Sequence, residues 1–220
     1  MIFKAMMASG AAVGALIAGA ASAETWDMPL AYPATNYHSE TAASFAACVN
    51  AATGGKIEIV THAGGALFPG SDIKRAVQTG QAPIGERLLS AHANEDAIFG
   101  FDSIPFLATS FDESVTLAGA AEPVLTEVLD AQNLVYLYSV PWPPQGLYAP
   151  KEISSGADLA GLKFRAYNAA TARLAELAEM QPVQIEAAEL SQALATGVAE
   201  SFVSSGSTGY DEKVWEHLSN

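Results

Sequence analysis

Residues 162–185 read LKFRAYNAATARLAELAEMQPVQI, and this stretch decides the fold. An apolar, alternating run, LKFRAY, gives way to a segment with small and apolar residues at helical spacing over 169–179, and PVQI then reads as a second strand. Strand, helix and strand in so few residues form a βαβ unit, whose strands lie parallel with the helix packed across them. In such sheets a ligand sits beyond the carboxyl ends of the strands. Arg165, Tyr167 and Asn168 occupy that position in the sequence. A guanidinium matches a carboxylate with two parallel hydrogen bonds, and the neighbouring phenol and amide add orientation. On spacing alone, a structural ion pair between Arg165 and one of the many acids accounts for it equally well.

The same alternation extends in both directions. Upstream, TWDMPLAYP reads as a strand, 37–53 as a helix ending at Gly54-Gly55, KIEIVTHA as a strand, 71–79 as a helix and PIGERLLS as a further strand carrying Glu86. Residues 113–131 form an amphipathic helix in which Pro123 predicts a turn or kink. LVYLYSV (134–140) has the composition of a strand buried on both faces. PWPPQGLYAPKE, with prolines at 141, 143 and 144, reads as an extended crossing segment. Downstream follow a helix at 186–196, an ESFVSS strand and a helix from about Tyr210. The expectation is an α/β protein of two lobes, residues 24–143 and 144–220, with a cleft between them. The last helix is barely begun at Asn220, so the second lobe reads as incomplete at its C-terminal side.

Residues 1–23 stand apart. Lys4, an Ala- and Gly-rich apolar run and Ala21-Ser22-Ala23 make a secretory signal cleaved before Glu24, and no twin arginine or cleavage-site cysteine accompanies it. Sec export to a bacterial periplasm follows, with no direct membrane insertion after cleavage. Cys48 is the only cysteine, which excludes an internal disulfide; it sits beside an apolar helical face as a small hydrophobe. The net charge of −14 argues against nucleic acid and anionic membrane surfaces as partners. His38, His62, His92 and His217 show no ligand spacing and read as surface or loop residues, so neither a metal nor another cofactor is expected. SSGSTG around Ser207 resembles a nucleophile elbow, but Ser205 stands where the pattern requires glycine. Trp142, Gln145 and Tyr148 on the crossing segment suit either solute contact or hinge packing.

The run DLAGLKFRAYNAATARLAELAEMQPVQIEAAELSQALATGVAESF (158–202) resembles the solute receptors of tripartite ATP-independent periplasmic (TRAP) transporters. In these a DLKGLKxR strand precedes a helix, a proline and an ALxTGxxD segment. The likeness includes GALFPGSDIKRAVQTGQAPIGE, NEDAIFGFDSIPFLATSFDE and KVWE. It implies two α/β lobes closing on one small organic carboxylate, held by Arg165, for delivery to a membrane permease without catalysis. The implied binding set is Arg165, Trp142, Gln145, Tyr167, Asn168, Glu86 and Ser204, with no catalytic residue. Gln145 replaces the second arginine of some acidic-sugar receptors, and Ser204 stands near a frequent asparagine. These departures disfavour a sialic-acid-like solute and favour a less polar monocarboxylate walled by Trp142, Tyr148 and Tyr167. An exported enzyme using Glu86 as a base, and a ligand-sensing module for a membrane sensor, are the rival readings.

Overall fold

A computed structural model describes residues 23–219, so the signal expected at 1–23 lies almost wholly outside the described residues. The first half of the chain is built on β1 (Glu24–Pro29), α1 (Tyr37–Ala52) and β2 (Ile57–His62), with the strands parallel. Asn36 caps α1, its side chain accepting from His38 N at 3.0 Å, and Gly54 at φ 62 lets the chain turn out of the helix. Alternation along β1 and β2 turns Met28, Leu30 and Ile59 onto Ala42 and Ala46 of α1. Two further helices follow, α2 (Gly70–Gln78) and α3 (Phe111–Asp130).

The second sheet contains β3 (Gln145–Tyr148), β4 (Lys163–Ala166), β5 (Gln181–Gln184) and β6 (Ser201–Ser205), in the order β3-β6-β4-β5. β4 runs parallel to β5 and β6, and β3 is antiparallel to β6. The helices are α4 (Ala169–Leu177), α5 (Leu190–Ala195) and α6 (Gly206–Asp211). Phe164 and Ala166 pack with Ala175 of α4, while Phe202 packs with Leu190 and Leu194 of α5. Two apolar layers thus cover the sheet, as the opening βαβ pattern requires.

Several expectations are corrected. LVYLYSV joins neither sheet: Leu134 and Tyr136 pack on the Phe99, Leu125 and Leu129 cluster, but Val135 and Leu137 are 78% and 56% exposed. Composition signals strand propensity, but a strand forms only where it pairs with a neighbour, and this segment pairs with none among the described residues. PIGERLLS is reduced to a single bridge, Glu86 to Leu30, because Pro83 lacks an N–H and the chain curls into a 3₁₀ turn at Leu89–His92. Pro123 does not end α3; it and Gly119, whose carbonyl loses its partner, both lie on the exposed side, where water replaces the bond. The crossing segment contributes β3 to the sheet. The final helix begins four residues earlier than expected because Ser205 caps it, accepting from Thr208 N at 3.2 Å. The elbow-like SSGSTG is therefore a capped strand-to-helix turn. Cys48 is exposed, and His38 is buried rather than on the surface.

Phe202 is fully buried, and its ring stacks on Tyr148 at 4.5 Å. We expect Phe202→Ala to cost about 3–5 kcal/mol, measured by denaturant unfolding; a cost under about 1 kcal/mol would show that this layer does not support the sheet.

Candidate ligand-binding site

Arg165 is on β4, where the strand places it on the face opposite Phe164, and only 4% of it is exposed. Its Nε donates to Ile185 O at 2.9 Å, just past the end of β5, and its guanidinium lies over the Tyr167 ring at 5.1 Å. The carboxylate expected of a structural ion pair is not there: among the described residues Arg165 makes no salt bridge, and no hydrogen bond engages its two terminal nitrogens. The nearby Glu186 is committed to Arg87, with a fork of 2.8 and 3.0 Å. Burial pulls the Arg165 pKa down, and Tyr32, Tyr167, Glu186 and Glu212 oppose that pull. An arginine nevertheless stays charged. The outcome is a desolvated cation with two donors available at the carboxyl end of a parallel sheet, an arrangement suited to a carboxylate.

Glu86 stands at the bridge to Leu30, on the opposite half of the molecule. Burial pushes its carboxyl up to about 7, against the opposing influence of Arg87 and the Ala31 N–H. Oε1 lies 3.8 Å from His38 Nδ1, and Oε2 is buried without a partner among the described residues. His38 is 4% exposed, and burial lowers its pKa to about 4, so this contact is not a salt bridge near neutrality. Trp142 stacks on the His38 ring at 3.9 Å and meets Tyr32 and Tyr37 edge-on at 4.9 and 5.5 Å. Tyr32 senses both ends of the site: burial raises its pKa first, with further influences from Glu86 and Arg165.

The other expected residues divide by position. Tyr167 lies beneath Arg165, and its hydroxyl reaches Gln145 Oε1 at 3.4 Å. Gln145 is exposed, its Nε2 donating to Pro143 O. Ser204 is buried on β6 opposite Gly146. Asn168 is already occupied: Oδ1 accepts from Thr171 N at 2.8 Å as the α4 cap, while Nδ2 donates to Ser90 and Ser103 Oγ, both at 3.1 Å. It ties the two halves together. Sequence reasoning missed His38, Tyr32 and Tyr37, although the aromatic run AYPATNYH directly follows β1, at the strand end where such sheets bind ligands. A cavity of about 770 Å³ lies elsewhere, as an open groove along α2. Its buried cation, Lys74, is already held by Glu95 and Gln132 at 2.6 and 2.5 Å, so the unpartnered groups of Arg165 and Glu86 mark the better site.

The chain matches the bacterial extracellular solute-binding proteins of family 7 over residues 30–219, and it belongs to that family. It is 62% identical to a TRAP solute-binding protein specific for pyroglutamate from an unidentified marine microbe, with a TM-score of 0.89 over 90% of this chain and 65% of that one. Two extracytoplasmic receptors of Bordetella pertussis that bind pyroglutamic acid are 48% and 42% identical, with TM-scores of 0.86 and 0.87, each over 89% of this chain and 65% of theirs. The present chain thus spans a little less than two thirds of the length of these relatives.

Glu86 and His38 also set a pH dependence of stability. Glu86 keeps its proton to about pH 7 when folded against an ordinary 4.5, so its contribution falls as pH rises through that window. His38, at about 4 against 6.5, contributes the opposite slope, lost as pH falls from 6.5 to 4. Each amounts to about 3 kcal/mol, and between pH 4.5 and 6.5 they oppose one another. Glu86→Gln removes the first alone. Relative to the parent, its unfolding free energy should shift in its favour by about 3 kcal/mol between pH 4.5 and about pH 7.5; a pH-independent difference would contradict the assignment.

Proposed function

We propose that this protein is a periplasmic solute receptor, not an enzyme, that captures a small organic monocarboxylate of the pyroglutamate type and delivers it to a TRAP-type membrane permease. The observation that carries this reading is the buried Arg165 guanidinium with its two terminal nitrogens unpartnered among the described residues. An unpaired buried charge is costly, and a ligand carboxylate offsets that cost where water is excluded. Tyr167 and Trp142 wall the solute, Gln145 and Ser204 adjust polarity at the β3–β6 edge, and Asn168 acts by holding the lobes in register. The lobes divide at residues 143/144, and residues 1–23 direct Sec export. Relatives that bind pyroglutamate at 42–62% identity support the choice of solute class. The acid-rich surface does not oppose it, because a buried donor pair acts locally and surface charge is screened over ~8 Å at physiological salt.

Calorimetry with pyroglutamate tests this reading. Arg165→Ala should lose roughly 3–5 kcal/mol, about two to four decades in Kd, while keeping its far-UV circular dichroism. Arg165→Lys keeps the charge but not the fork and should also bind poorly. Unchanged affinity in Arg165→Ala, or its failure to fold, would make Arg165 a structural residue and remove the reading.

A further inference from the structure

The hydrogen-bond chain around His38 fixes where its proton sits. The Tyr37 hydroxyl has one hydrogen, and it donates this to Pro141 O at 2.5 Å. Its oxygen is therefore an acceptor toward His38, and the 2.9 Å contact from His38 Nε2 must carry the hydrogen on Nε2. In the neutral ring Nδ1 is then a bare lone pair. That lone pair faces Glu86 Oε1 at 3.8 Å, and the second oxygen of Glu86 is buried with no partner among the described residues. The backbone N–H of Ala31 and the charge of Arg87 favour the carboxylate form, whereas Tyr32, Tyr37 and Tyr138 are the other ionisable groups that feel Glu86. The Ala31 N–H is the donor that Glu86 already accepts; beyond it, no group among the described residues donates to Oε2, and the Nδ1 lone pair of His38 cannot.

We propose that Glu86 and His38 form an acceptor-only subsite that takes an N–H of the solute, selecting cyclic amide acids over isosteres that cannot donate. This rests on the reading of Arg165 as the carboxylate anchor and adds to it a second, opposite requirement. One end of the solute must present oxygens and the other an N–H. Glu86 is the residue that touches the solute, and His38 is a positioning residue that closes the alternative of a donor from the protein side. A proton on Glu86 satisfies the same empty geometry, so proton and solute N–H compete for one place.

The test compares pyroglutamate with its ring-oxygen isostere, 5-oxotetrahydrofuran-2-carboxylate, by calorimetry on the full chain. The parent should prefer the lactam by about 100-fold, and Glu86→Gln should bring the two within about threefold of each other. A second measurement needs no variant. In buffers of differing ionisation enthalpy at about pH 6, lactam binding should release close to one proton and lactone binding none, and the release should vanish near pH 8.5. Equal binding of both compounds by the parent, a lactam preference that survives Glu86→Gln, or lactam binding without proton release at about pH 6 would each overturn the subsite while leaving the receptor reading in place. Failure of both compounds to bind would remove that reading and the subsite with it.

Discussion

A guanidinium buried without a carboxylate partner among the described residues is the constraint around which the rest of the molecule is arranged. Arg165 has one hydrogen bond, to the Ile185 carbonyl, and one aromatic face, Tyr167. Together they fix the direction of the fork without neutralising it. The strand supplies the rest: β4 sits between β5 and β6 with apolar layers on both faces, so Arg165 cannot swing out to water without breaking the sheet. The cost of keeping that charge dry is of the order of several kcal/mol. It is borne by the packing of Phe164 and Phe202, both fully buried on either side of it.

Such a site needs its two halves held in one relation, and the structure does this with polar ties beside a small apolar contact of Ala187 with Ala31, Tyr32 and Ile73. Arg87 and Glu186 make a forked pair across the halves, Asn168 reaches Ser90 and Ser103, and Asn36 donates to Asp211 at 2.7 Å. Polar ties are directional and exchange readily with water, so they define a closed geometry without welding it. Gly70 is part of the same device. A Cβ there would fall 2.6 Å from Glu186 Oε2 and 2.7 Å from Arg87 Nη1, so the close passage of α2 beneath the ion pair requires the missing side chain.

The elements legible in the sequence were those whose signal is local. The βαβ at 162–185, the helix at 37–53 and the placement of Arg165 at a strand end followed from periodicity and stop signals, and the structure agrees to within a residue or two. Elements that depend on a distant partner were not legible. LVYLYSV has strand composition, yet pairing is decided by an edge elsewhere in the chain. Asn168 reads as a ligand donor in sequence, but Ser90 and Ser103, more than sixty residues away, consume its amide. His38 reads in sequence as a surface or loop histidine because nothing local reports that Trp142 will stack on it.

Arg165 is a buried cation and Glu86 a part-buried carboxyl, each left with atoms unsatisfied among the described residues, yet they do not pair with one another. Their separation is the informative feature. Two buried charges in direct contact would neutralise each other and leave nothing for a solute to do. Held apart, with Tyr32 sensing both, they offer on the proposed reading a donor end and an acceptor end to one solute, with Trp142 and Tyr167 as its walls. A solute that is only an anion satisfies one end and leaves Glu86 with a desolvated lone pair, whereas a solute that carries a carboxylate and an N–H satisfies both. On the proposed reading, discrimination among small acids comes from the penalty for the unmatched end, which a surface salt bridge in water could not impose.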